Sequence, residues 1–367
     1  MNEILGVAIL MISFVYMVRN GAGAGTFTII VACLALSNAI AVFGSAPDAF
    51  GELIRTASVL SVFFFVKSFQ SIFTVSHVVW IMHIVCILSM AFTVFQLLTS
   101  SGMIVEGVPR IAGAMAHPNS AALLYALGLT LATAFFLNGY HRVVNMLLIL
   151  AYASGILLTG SLGGIAAALV MIMVLGLRSR RLSVAARLGA VSGIAIMIVI
   201  FFNTPVGRER LSQLSGFDLA ARSAESNSLE WRIGRWSELL FYWYESPFVG
   251  QGYGSSTTGS FLNGYVPHSE YVRILVEGGL VGTCVLLLAV VSVFRGLIRV
   301  EKLNIRASIV GSAGIAMVSG LLVNATAENT FLYSVPGYLL ALVLGLGWGH
   351  LRAFNLQTHP TVMARSA

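Results

Sequence analysis

Charge is scarce in this 367-residue chain: 10% of its residues are Asp, Glu, Lys or Arg, against 57% hydrophobic residues, and the mean hydropathy is +0.90. A soluble domain carries about 25% charged residues, so the composition excludes an ordinary soluble protein and points to an integral membrane protein. Cysteine is scarce as well. Cys33, Cys86 and Cys284 all fall inside apolar runs, which excludes a disulfide framework and a Cys-x-x-Cys metal site. His77, His83, His117, His141, His350 and His359 show no metal-ligand spacing and no Asp-x-Asp pair accompanies them, so no metal is expected. Fixed-period repeats and low-complexity segments are absent. The opening Met1-Asn2-Glu3 offers no positive n-region and no small-residue cleavage site follows, so residues 2–18 read as a retained first span.

What is present is apolar runs of membrane-crossing length. A span needs about 20 mainly apolar residues, and eleven segments qualify approximately: 2–18, 25–44, 53–74, 78–98, 119–138, 143–159, 161–177, 188–203, 279–295, 307–326 and 335–351. Helices are expected, because a bilayer offers no water to unpaired backbone groups and no alternating pattern suggests a barrel. The net charge of +7 comes from short clusters between spans, such as Arg178, Arg180, Arg181 and Arg187, or Arg295, Arg299, Lys302 and Arg306. These are topology signals for the cytoplasmic side, and no nucleic-acid partner is implied. The acids fall on the opposite side, Asp48, Glu52, Glu106 and Glu328 among them, with Glu301 the exception. The expected fold is therefore an all-α polytopic membrane domain over 1–367, with 11–12 transmembrane helices and a large periplasmic loop over 204–268.

Polar residues concentrate between Ser226 and Gly282. Asn227 followed by Glu230 marks a helix start, and on the helix that follows Arg232 and Arg235 share one face while Trp236, Leu240 and Trp243 line another. One reading is an interfacial helix whose arginines meet lipid phosphates; the other is capture of a diphosphate by guanidinium forks. Pro247-Phe248-Val249-Gly250-Gln251-Gly252-Tyr253-Gly254 lacks the preceding strand of a dinucleotide fingerprint and reads as a flexible turn. His268, after Pro267 and before an apolar helix, is the natural proton acceptor near neutral pH. Glu270 and Glu277 follow it and are placed to orient its ring or a substrate hydroxyl, although Arg273 and Glu277 also pair at i, i+4. Upstream, Arg110 and Gly113 lead to Pro118-Asn119, the start of a span, and Arg110 is a cation on the side where cations are rare. Thr159-Gly160-Ser161-Leu162-Gly163-Gly164 reads as close helix packing.

Together these residues resemble the bacterial O-antigen ligase and polymerase superfamily. His268-Ser269, nine residues, then Gly279-Leu280-Val281-Gly282 is similar to that family's histidine motif; Arg232-x-x-x-Trp236, Pro247-x-x-Gly250-x-Gly252, Arg110-x-x-Gly113 and Pro118-Asn119 are similar to the rest of its pattern. Two departures stand out: Ser161-Leu162-Gly163 occupies a place where members often carry Ser-Arg-Gly, and eleven spans are counted where about twelve are usual. The resemblance implies a metal-independent, cofactor-free inverting glycosyltransferase in the bacterial inner membrane, with its active site facing the periplasm. Its donor would be an undecaprenyl diphosphate-linked glycan and its acceptor lipid A core, for a ligase, or another glycan, for a polymerase. Carried over, His268 would be catalytic, and Arg110, Arg232 and Arg235 would hold the diphosphate. Asn119, Trp236, Gly250, Gly252, Glu277 and Gly279 would support them. The rival from another class is a lipid-linked sugar flippase without chemistry, whose usual two-fold internal symmetry is not visible in this sequence.

Overall fold

A computed structural model describes residues 2–19, 24–44, 46–69, 72–105, 108–179, 228–258 and 266–358, with the single positions 183, 199, 203 and 208. The α-helices in it are α1 (Asn2–Arg19), α2 (Ala24–Gly44), α3 (Phe50–Ser68), α4 (Val75–Thr99), α5 (Pro118–Leu137), α6 (Arg142–Thr159), α7 (Leu162–Arg178), α8 (Ser228–Glu245), α9 (Ser255–Thr258), α10 (Glu270–Glu301), α11 (Ile305–Asn324) and α12 (Ser334–Thr358). Seven of these, α2, α4, α5, α6, α10, α11 and α12, are long and apolar enough to cross a membrane. The protein is a polytopic helical membrane protein. Helices α1 and α7 carry shorter apolar stretches, and α3 holds Glu52, Arg55 and Lys67. Ten of the eleven spans expected from hydropathy are therefore helices here; 188–227, apart from the single positions 199, 203 and 208, lies outside the described residues. The span expected over 53–74 stops at Ser68, because Thr74 caps the next helix by accepting the His77 amide at 3.3 Å.

Two helices form the centre. In α5 and α11, 78% and 72% of the apolar window is buried, against 17% in α2 and α10, which therefore present most of their surface to lipid. A helix that is apolar all round belongs in such an interior. Between lipid-soluble helices the packing gain comes from close backbone approach, which small residues permit. A Cβ on Gly164 would lie 2.3 Å from that of Ala122, and one on Gly320 would lie 2.4 Å from Met171 Cγ. This ties α7 to α5 and to α11, as the Gly-rich sequence at 159–164 leads one to expect.

At one end of the bundle Arg178 pairs with Glu301, which also accepts from Ser312 Oγ at 2.7 Å. Glu301 was the acid out of place in the charge pattern, and this ion pair between α7 and α10 accounts for it. At the other end a hairpin, β1 (Met103–Val105) against antiparallel β2 (Val108–Arg110), sets Arg110 opposite Met103. It is a small addition to an otherwise helical fold.

Candidate active site

Arg110 is carried inward by the end of β2 and is 5% exposed. Its Nε donates to the carbonyl of Thr159 at 2.8 Å, at the end of α6, where the last carbonyls of a helix lack partners of their own. Its Nη2 donates to Asn119 Oδ1 at 2.8 Å, in the first turn of α5. Asn119 passes the link on, since its Nδ2 donates to Glu328 Oε1 at 2.5 Å. A direct phosphate contact by Arg110 would require these internal bonds to be exchanged.

Glu328 lies between α11 and α12 and is 3% exposed. Besides Asn119 it receives the Tyr333 hydroxyl at 2.8 Å, and it stands 3.4 Å from Arg232 Nη2 and 3.5 Å from His268 Nδ1. The last two are ion-pair separations, longer than a good hydrogen bond. Burial pushes a carboxyl group upward, but His268, Arg232 and Tyr333 more than offset it and hold Glu328 below the usual carboxylate range. Glu328 is accordingly ionised at neutral pH, and a buried charge of this kind is tolerable only with such partners. The same partnership drives the Tyr333 hydroxyl well above its ordinary range, through burial first and then the adjacent carboxylate.

His268 is held at φ +49, in the left-handed region that a residue other than glycine occupies at a cost of about 1–3 kcal/mol. Anchors on both sides maintain it. Trp236 donates its indole N–H to the Pro267 carbonyl at 2.7 Å, and on the other side the Glu270 amide donates to Ala325 O at 2.9 Å. The Trp231 ring meets the imidazole edge-on, centroids 5.8 Å apart. Helix α8 supplies both tryptophans and Arg232, and it is seated on α10 by Leu239 and Trp243 against Val272 and Val276. Arg235 faces elsewhere: it pairs with Glu238 at 2.6 Å and stacks over Trp231, 5.6 Å from the ring centre. So Arg110, Arg232 and His268 converge through Glu328, with Arg235 at the rim.

Gly250, Gly252 and Gly279 do something other than line a flexible turn. Gly279 breaks α10 at φ 59, ψ −159, and the hydrogen bonds freed there are taken up by the loop after α8. Leu280 N donates to Pro247 O and Val281 N to Phe248 O, while Gln251 N and Gly252 N donate to Val276 O and Glu277 O, all at 2.8–3.0 Å. A Cβ on Gly250 would lie 2.4 Å from Glu277 O, and one on Gly279 2.4 Å from Phe248 O. The loop is spliced into the helix, and its glycines are there because two backbones touch.

Glu277 does not orient His268. It lies about 10 Å along the helix axis from Glu270, at 1.5 Å per residue, on the same face of α10, and the two acids flank Arg273. There it accepts from Ser256 Oγ at 2.6 Å and stands 3.5 Å from Arg273 Nη1. Arg273, 1% exposed, also binds Glu270 at 2.6 Å and approaches Glu52 at 4.0 Å. The carboxylate that does face the imidazole, Glu328, went unnoticed in the sequence except as one of the outer acids; Tyr333, Trp231 and His117 were missed as well. The available signal was an isolated Glu beside two Asn at the junction of two apolar helices. The turn at 159–164 also proves to be part of the site's floor, since a side chain on Gly163 would meet Asn324 Nδ2 at 3.1 Å and Glu328 Cγ at 3.5 Å. Among the described residues no group of three or more His, Cys, Asp or Glu side chains is arranged to hold a metal ion.

Residues 146–287 match a family model described as O-antigen ligase. That segment includes Arg232, Trp236, the spliced loop, His268 and Gly279, whereas Arg110, Asn119 and Glu328 lie outside it. No curated protein matches the chain.

Proposed function

We propose that this chain, whose residues 146–287 match a family model described as O-antigen ligase, transfers a glycan from undecaprenyl diphosphate to an acceptor hydroxyl. The acceptor is lipid A core in the ligase form of this reading and a second lipid-linked glycan in the polymerase form. The site would face the periplasm from the inner membrane, as the distribution of charge along the chain supports.

His268 takes the proton of the acceptor hydroxyl as that oxygen bonds to the anomeric carbon. The bond from that carbon to the diphosphate breaks with its electron pair, undecaprenyl diphosphate leaves, and a single displacement inverts the centre. Negative charge grows on the leaving group, and Arg232 stabilises it where it develops. Glu328 is a positioning residue: it holds His268 by Nδ1 and leaves Nε2 for the acceptor. Arg110 acts through Asn119 by fixing that carboxylate. The observation that carries this reading is the meeting of Arg232, His268 and the Arg110–Asn119 pair on a single buried carboxylate, that of Glu328.

The test uses purified protein in lipid nanodiscs with an undecaprenyl diphosphate-linked glycan and either lipid A core or a second lipid-linked glycan. Transfer by the wild type, lost in His268→Ala at equal protein level and normal insertion, is expected, and the product tells ligase from polymerase. Undiminished transfer by His268→Ala would refute the assignment of the base.

A further inference from the structure

His117 takes no part in the roles assigned so far, yet it stands among the same groups. Its Nδ1 accepts the backbone N–H of Asn119 at 3.2 Å, which makes it the cap of α5. A ring nitrogen that accepts carries no hydrogen, so in the neutral imidazole the hydrogen sits on Nε2. The ring is half-buried. Burial lowers its pKa, nearby Arg110, His268 and Arg232 lower it further, and only Glu328 opposes them. At neutral pH His117 is therefore an uncharged donor whose tautomer is set by the helix beneath it. Its place follows from Asn119, whose backbone it caps and whose side chain joins Arg110 at 2.8 Å to Glu328 at 2.5 Å.

A cap needs only an acceptor, and Ser, Thr, Asp and Asn supply one more cheaply than histidine. Histidine adds a second functional edge, an N–H on the far side of the ring from the helix. Next to a network that already holds arginines such an edge suits an anion, and being neutral it adds no like charge there. Hydrogen bonds to an oxygen strengthen as that oxygen gains charge, so a fixed donor here favours the departing group over the bound donor substrate.

We propose that His117 contacts the substrate, donating its Nε2–H to a phosphoryl oxygen of the lipid-linked donor's diphosphate. This rests on the transfer reaction proposed above.

Two variants separate capping from donation. His117→Ser keeps an acceptor for the Asn119 amide and removes the far edge; His117→Gln places an amide N–H near the position of Nε2 and forgoes the cap. Transfer kinetics with undecaprenyl diphosphate-linked glycan should show kcat lowered about 100-fold in His117→Ser, the loss typical of one removed oxyanion donor, with thermal unfolding unchanged. His117→Gln should keep kcat within about 10-fold of wild type despite a lower unfolding temperature, a reversal that a purely structural residue does not produce. Wild-type kcat in His117→Ser, or equal loss in both variants, overturns the inference. If wild type transfers, His268→Ala does not and His117→Ser is unimpaired, this inference fails alone; if wild type transfers nothing to either acceptor, both fall.

Discussion

His268 Nδ1 faces Glu328 Oε2 across 3.5 Å, joining the segment before α10 to the segment between α11 and α12. In the proposed reaction this pairing leaves Nε2 for the acceptor, as a carboxylate commonly does for an imidazole that works as a base. Glu328→Gln keeps the shape and removes the charge. Transfer should fall about 100-fold in kcat, the lower end of what a general base contributes, with the protein still inserted and folded.

The same variant has a signature in stability. Glu328 titrates below its ordinary 4.5 in the folded protein, so its ionisation contributes stability above pH 4.5 and loses that contribution as the pH falls through the folded value. Wild type should unfold at a higher temperature than Glu328→Gln at pH 7, and the difference should narrow below about pH 4.5. A constant difference from pH 7 to pH 4 would argue against an ionised carboxylate.

Arginines 232 and 235 sit one turn apart, and only the first reaches Glu328. Arg232→Lys retains charge but loses the planar fork that grips phosphate at two points, and should lower kcat/KM about 10- to 100-fold. Arg235→Ala should cost about 3-fold or less, in keeping with an exposed ion pair to Glu238. Equal effects in steady-state kinetics would mean that both face the substrate.

A methyl group at Gly279 tests the splice between α10 and the preceding loop. It would stand 2.4 Å from the Phe248 carbonyl at a positive φ. Left-handed strain and overpacking together should cost about 2 kcal/mol or more in Gly279→Ala. The readout is a fall in the thermal midpoint of the detergent-purified protein. An unchanged midpoint would mean that the two backbones can part freely.

Trp236→Phe removes one hydrogen bond, to the Pro267 carbonyl, and keeps the ring. Stability should drop by about 1 kcal/mol, while activity falls more than that loss of folded protein explains, because the bond fixes the residue next to His268. Activity per folded molecule, measured beside thermal unfolding, decides it.

Much of the fold was legible because hydropathy marks a lipid-buried helix directly, and ten predicted spans are helices. Positions 110, 232 and 268 could also be picked out, since a cation or an imidazole is conspicuous among apolar residues. Glu328 was not, because its partners arrive from four separate segments and a lone acid at a helix junction looks like any solvent-facing loop residue. Glu277 misled for the opposite reason: nearness in sequence to His268 suggested contact, but the helix carries it about two turns away. The glycines at 250 and 252 read as a flexible turn and Gly279 only as part of a motif. That Gly250 and Gly279 meet across a broken helix, while Gly252 lies against α2, depends on tertiary contacts that spacing alone does not encode.

The left-handed backbone at the imidazole bears on how its importance should be measured. Alanine there removes the ring and also keeps a side chain where asparagine or glycine is far more comfortable. His268→Asn is the cleaner control, for it tolerates the local geometry and lacks a base. The gap between the alanine and asparagine variants then apportions the defect between lost chemistry and a distorted main chain.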